Sequence, residues 1–134
     1  MIDNLPEEIT NALQLLDASF GSMGTKNQVQ SFKNAVYLLN DCMDDFPVYR
    51  EDILKIKYSY TVRLLCGLPP NPDYQTWLEF VMLLCIDLKD QVKTLKNNDA
   101  QLFETILTFL RLYEPDAPPT FQENITQFID EITQ

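Results

Sequence analysis

Residues 71–95 read NPDYQTWLEFVMLLCIDLKDQVKTL and show the clearest helical pattern in the chain. Asn71 is a candidate N-cap, with Pro72 at the first helical position and Asp73 in the first turn. Apolar side chains then recur at alternating steps of four and three: Tyr74, Leu78, Val81, Cys85, Leu88, Val92 and Leu95. Others fill the remaining faces of the middle: Phe80, Met82, Leu83 and Ile86. A helix that is apolar on every side is predicted to have neighbours on both flanks.

Similar patterns predict helices on either side of this stretch. Two precede it at about 5–19, with Asn4 as N-cap, and at about 27–45, with apolar residues three and four apart. After Asn97 and Asn98, Asp99 is the predicted N-cap of a fifth helix at about 100–113. A proline-rich linker at 114–119 then leads to an amphipathic C-terminal helix at 120–133.

The segment 50–66 fits two structures. Ile56, Tyr58, Tyr60, Val62 and Leu64 alternate with polar residues, as in a half-buried strand. The same segment also carries apolar residues at helical spacing. Because no second strand candidate is available to pair with it, a helix is favoured.

The chain is therefore predicted to be all-α, a compact single-domain bundle of about six helices over residues 1–134, with a central hydrophobic fourth helix. Its 134 residues are the length of one domain. Core helices are expected over about 5–113. A short stack of helix pairs is the alternative architecture.

Composition excludes several kinds of chemistry. The chain has no histidine, so Ser-His and Cys-His nucleophiles are impossible, and its three glycines form no phosphate-binding loop. Cys42, Cys66 and Cys85 are too far apart for a zinc site and are expected to be reduced. The start of the chain has no signal-peptide pattern, and no apolar run could span a membrane. A soluble cytoplasmic protein without cofactor is predicted.

One enzyme class keeps a basis in the sequence. Asp41 and Asp44 are three residues apart, as are Asp87 and Asp90, so each pair could share a divalent metal ion on one helix face. A metal-dependent all-α hydrolase is therefore an alternative. Such pairs also arise readily on the solvated surface of an acidic chain, and we expect no enzyme.

The favoured hypothesis is a non-catalytic protein-interaction protein: an inhibitor, immunity or adaptor protein, or a small subunit of a larger complex. The net charge is −10, and a negative surface steers association with a basic partner protein. Homo-oligomers are also compatible with the sequence. The candidate partner-binding residues are acidic or lie in the apolar fourth helix: Asp41, Asp44, Asp45, Glu51, Asp52, Phe80, Leu83 and Ile86.

A basic and aromatic cluster supports a third possibility, a small nucleic-acid-associated subunit. Its candidate residues are Lys55, Lys57, Tyr58, Tyr60 and Arg63. Cations interleaved with aromatic rings can neutralise and stack on a nucleic-acid strand. With a net charge of −10, however, such binding would be weak, and direct contact with nucleic acid is not expected.

Overall fold

The computed structural model describes residues 5–134, and in that range the chain is all-α, without strands. Seven α-helices follow one another: α1 (Glu7–Ser19), α2 (Lys26–Asp45), α3 (Arg50–Cys66), α4 (Tyr74–Met82), α5 (Lys89–Asn98), α6 (Ala100–Arg111) and α7 (Pro119–Thr133). The chain divides into two units, Met1–Pro69 and Pro70–Gln134. The all-α fold class is confirmed, whereas the single domain over 1–134 stays a prediction.

In the first unit, α1 packs on α2, and α2 also packs on α3. Thr25 caps α2, because its hydroxyl oxygen accepts the N–H of Gln28 at 3.3 Å. Gly24 precedes it with φ +78°, a conformation that a side chain would strain. Asn4, the predicted cap of α1, lies outside the described residues, and α1 starts directly after Pro6.

The prediction of a helix over 50–66 is confirmed, since α3 has those bounds. Every fourth residue from Ile53 through Lys57 and Thr61 to Leu65 is buried, so the buried stripe has helical spacing. The alternating residues Ile56, Tyr58 and Tyr60 are half-buried instead. The alternation in the sequence therefore does not reflect two faces of a strand.

In the second unit, the predicted fourth helix is two helices with a π-helical turn, Leu83–Asp87, between them. The N–H of Leu88 donates to the carbonyl of Leu83 at 3.0 Å, five residues back rather than four. Leu83 and Leu84 are both buried in this turn, while Ile86 is exposed. The sequence does not reveal the π-helical turn. Apolar residues occupy all faces of this stretch, so a continuous α-helix and a helix with a π-turn would both bury apolar side chains.

Two helices of this unit begin at aspartate caps. Asp73, not Asn71 as predicted, is the N-cap of α4, and its carboxylate accepts the N–H of Thr76 at 2.8 Å. Asp99 caps α6 as predicted, accepting the N–H of Leu102 at 3.0 Å. The predicted linker 114–119 contains a short 3-10 turn, Glu114–Asp116. The C-terminal helix is confirmed as α7, and it buries Ile125, Phe128, Ile129 and Ile132.

The second unit packs around Trp77, which is fully buried in α4. Its indole N–H donates to the carbonyl of Phe109 in α6 at 2.7 Å. Tyr74, Tyr113 and Phe121 surround the indole, with ring centroids 5.6–6.3 Å away. Tyr113 is itself held by a hydrogen bond from its hydroxyl to the carbonyl of Pro72 at 2.7 Å.

We expect Trp77→Phe to lower the free energy of unfolding by about 1–3 kcal/mol, because the smaller ring leaves a cavity and loses the bond to Phe109. Urea unfolding tests this. It is followed by circular dichroism, because Trp77 is the only tryptophan and the variant has no tryptophan fluorescence. Val48→Ala is the control, at a side chain that is 84% exposed. Equal unfolding midpoints for the two variants would contradict a structural role for the indole.

Candidate functional site

The exposed face of α2 carries a concentration of acid. Asp41, Asp44 and Asp45 are all exposed and lie in the last five residues of the helix. No ion pair involves them within the described part of the chain, and the last turn contains no basic residue. The C-terminal end of a helix is the negative end of its dipole, so these carboxylates are electrostatically unfavourable there.

Tyr37 belongs to the same surface. It precedes Asp41 by four residues and Asp44 by seven, so the three side chains share one side of the helix. The Tyr37 side chain is 46% exposed. We call Tyr37, Asp41, Asp44 and Asp45 the acidic face of α2. Tyr37 was not among the predicted binding residues, although its spacing from Asp41 and Asp44 was the signal that could have identified it.

The acidic face is extended by α1. Burial raises the pKa of the Cys42 thiol, and the carboxylates of Glu8, Asp45 and Asp41 raise it further. Glu8 therefore lies close enough to the end of α2 to add to the same negative field. The Cys42 thiol stays protonated in this field, so it is not an activated nucleophile.

The other two predicted acidic residues have a different electrostatic setting. Glu51 and Asp52 lie in the first turn of α3, where the helix dipole is positive. Carboxylates there stabilise the helix. Their charge is thus explained by the fold, whereas the charge at the end of α2 is not.

Two of the predicted apolar residues are part of the core. Phe80 and Leu83 are buried in the second unit, so they offer no surface to a partner. Ile86 differs, because its side chain is 68% exposed beside the π-helical turn. Together with Met82 it lines a groove along α7.

Residues of the basic and aromatic cluster form contacts with other side chains of the first unit. Lys57 is buried and its ammonium donates to the side-chain oxygen of Asn40 at 3.2 Å. Arg63 stacks over Phe20, 4.1 Å from the ring centroid, and lies 3.6 Å from Asp17. Lys55 is exposed and Tyr58 is half-buried. The structure therefore does not bring the five predicted residues together on one open surface.

Tyr60 contacts the same carboxylate as Arg63, since its hydroxyl donates to Asp17 at 2.5 Å. Burial, together with the hydrogen bond to Asp17 and its charge, raises the pKa of Tyr60 to about 12, and Arg63 opposes the increase. The phenol is consequently a hydrogen-bond donor at neutral pH. It fastens α3 to α1 rather than presenting a free ring for stacking.

The aspartate pairs proposed for metal binding gain no third ligand. Residues 5–134 contain no group of three or more cysteine, aspartate or glutamate side chains placed to hold a metal ion. All three cysteines are free thiols, and burial raises the pKa of Cys85 to about 12. Over the same residues no helix is long and apolar enough to cross a membrane.

Comparison with protein-family models, curated proteins and solved structures found no match for the chain. No relative therefore assigns a role to any of these residues.

Replacing Asp44 and Asp45 with asparagine is expected to raise the free energy of unfolding by about 0.3–1 kcal/mol per carboxylate, since each charge opposes the helix dipole. Salt should diminish the gain, because it screens exposed charges. Urea unfolding at low and high salt measures both effects. Glu51→Gln is the matched control and should lower stability, because that carboxylate lies at a helix N-terminus. A change of the same sign in both variants would contradict the dipole argument.

The raised pKa of Tyr60 predicts a loss of stability at high pH. The folded chain holds this proton more firmly than the unfolded chain, so the stabilisation is complete below pH 10 and is lost as the pH rises through about 12. Ultraviolet absorbance of the phenolate follows the titration. Asp17→Asn should lower the pKa of Tyr60. Tyr60→Phe should remove the part of the phenolate titration that belongs to this residue. An unchanged titration in Asp17→Asn would mean that the carboxylate does not hold the proton.

Proposed function

We propose that this chain is a non-catalytic protein-interaction protein that binds a basic surface of a partner protein through the acidic face of α2. It would serve as an inhibitor, immunity or adaptor protein, or as a small subunit of a larger complex. The three free thiols support a reducing compartment, and we place the protein in the cytoplasm.

The observation that carries the proposal is the uncompensated charge at the end of α2. Asp41, Asp44 and Asp45 lie at the negative end of the helix dipole without a cation in contact, so folding gains nothing from their charge. A partner that brings lysine or arginine to this end would remove the repulsion. Such an arrangement favours rapid, electrostatically steered association.

Tyr37 adds an aromatic contact surface to the charges of the acidic face. Tyrosine is enriched among the residues that dominate binding energy, because its ring buries a large area and its hydroxyl forms a hydrogen bond. Lys33 already lies over this ring, with its ammonium 5.7 Å from the centroid. An arginine of a partner could stack on the same ring while its guanidinium reaches Asp41 or Asp44.

The proposal is tested by a variant with Asp41→Asn, Asp44→Asn and Asp45→Asn. The tagged wild-type chain is used to capture partners from an extract of the cells that produce it, and the association rate with the captured protein is measured over a range of salt. The triple variant should associate at least about tenfold more slowly at low salt, because steering depends on local charge. The difference should shrink as salt is added.

A charge-matched control separates the acidic face from net charge. Asp90→Asn, Glu104→Gln and Asp116→Asn remove three exposed carboxylates of the second unit. This control should associate within about twofold of wild type, since long-range steering depends on the charges near the interface. If both triple variants slow association equally, or neither does, the acidic face of α2 is not the binding surface.

A further inference from the structure

The second unit carries a groove between the π-helical turn and α7. Its volume is about 400 Å³, and it is open to solvent along one side. Ile125 and Phe128 form a buried floor, and Met82, Cys85, Ile86 and Phe121 line the sides. The groove is thus large enough for one or two large apolar side chains of a ligand.

Apolar surface is exposed beside the π-helical turn. Because Leu88 bonds to Leu83 rather than to Leu84, the turn is one residue wider than in an α-helix. Ile86 is left 68% exposed and Met82 38% exposed at the edge of the groove. π-Helical turns are rare, and they occur frequently at functional sites.

An ion pair holds one end of the groove in place. Lys89 of α5 and Glu131 of α7 both line the groove, and their side chains form a salt bridge. The positive charge of Lys89 is therefore already balanced by a carboxylate of the same unit. It does not make the groove a site for an anionic ligand.

The surroundings of the groove are acidic. A shallow depression on α7 adjoins the groove, because Asn124 and Gln127 line both. Glu114, Glu123 and Asp130 line this depression. Residues 70–134 contain eleven acidic and four basic side chains, a net charge of −7. The complementary ligand is therefore apolar at its centre and positively charged at its edges.

We propose that this groove binds a basic amphipathic helix of a partner protein. Its apolar side chains would enter between Ile86 and Phe121, and its lysines or arginines would reach toward Glu123 and Asp130. A helix is the form that fits, because the described surface offers no strand edge with which an extended peptide could pair. This surface belongs to the second unit, so the proposal does not depend on the acidic face of α2.

The test uses a defined probe and the full chain. The probe is a short fluorescein-labelled peptide of leucine and lysine that forms an amphipathic helix. Its control has every lysine replaced by glutamate. Fluorescence anisotropy measures affinity, and amide chemical shifts locate the bound peptide. The wild-type chain should bind the lysine peptide and not the glutamate peptide, with shifts confined to residues 82–89 and 114–131.

Variants at Ile86 separate apolar contact from charge. Ile86→Asp should weaken binding at least about tenfold, because it removes an apolar anchor. It also adds a negative charge, which would strengthen binding if attraction to lysine were the sole cause. Ile86→Leu should bind within about twofold of wild type, since the apolar contact is kept. Leu112→Asp adds the same charge at an exposed leucine outside the groove and should also leave binding intact.

The carboxylates of the depression are tested separately from those of α2. Glu123→Gln with Asp130→Asn should weaken binding, and salt should reduce the difference. The variant with Asp41, Asp44 and Asp45 replaced by asparagine should bind the peptide as wild type does. Binding at the acidic face of α2 and binding at the groove are therefore tested independently, and either can fail while the other holds.

Three outcomes would overturn the proposal. The first is no binding of the lysine peptide by the wild-type chain. The second is equal affinity in wild type and Ile86→Asp, which would place the peptide elsewhere. The third is a dimer of the chain alone, seen by sedimentation and abolished by Ile86→Asp, because a second copy would then be the occupant.

Discussion

The indole N–H of Trp77 donates to the main-chain oxygen of Phe109 in a site that water does not reach, and the second unit is arranged around that bond. A buried donor without a partner is costly, so this bond favours the arrangement in which Trp77 of α4 reaches Phe109 of α6. Tyr113 and Phe121 then pack edge-on against the same indole. Through Phe121, α7 is brought beside the π-helical turn, and the groove between them follows from this arrangement.

The carboxylates of the chain differ in what the fold does with them, as three examples show. Asp73 and Asp99 cap helices and are part of the backbone hydrogen bonding. Asp17 pairs with Tyr60 and Arg63 and fastens α1 to α3. The carboxylates at the end of α2 do neither. At the end of α2 the charge therefore opposes the helix dipole and no ion pair balances it, a property that the net charge of −10 alone does not reveal.

The fold was largely predictable from the sequence, and the candidate surfaces were predictable only in part. Helical spacing identified α3 even though its alternating residues resembled a strand, because a lone strand has no partner for its hydrogen bonds. Spacing could not show that Phe80 and Leu83 are buried while Ile86 is exposed. All three lie in a stretch that is apolar on every side, so neighbouring helices decide which of them water reaches. Lys57 is the converse case, a predicted surface cation that is buried beside Asn40.

Residue types and their spacing were enough to predict that the described residues are helical, where most helices begin and end, and that histidine-dependent chemistry is absent. Those properties depend on residue type and on spacing along the chain, which are local. Packing between helices sets the register of the π-helical turn, the exposure of Ile86, the contact of Tyr60 with Asp17 and the effect of the Glu8 charge on Cys42. Each of these depends on which helix packs against which, because burial and electrostatic fields act through space between residues far apart in the sequence.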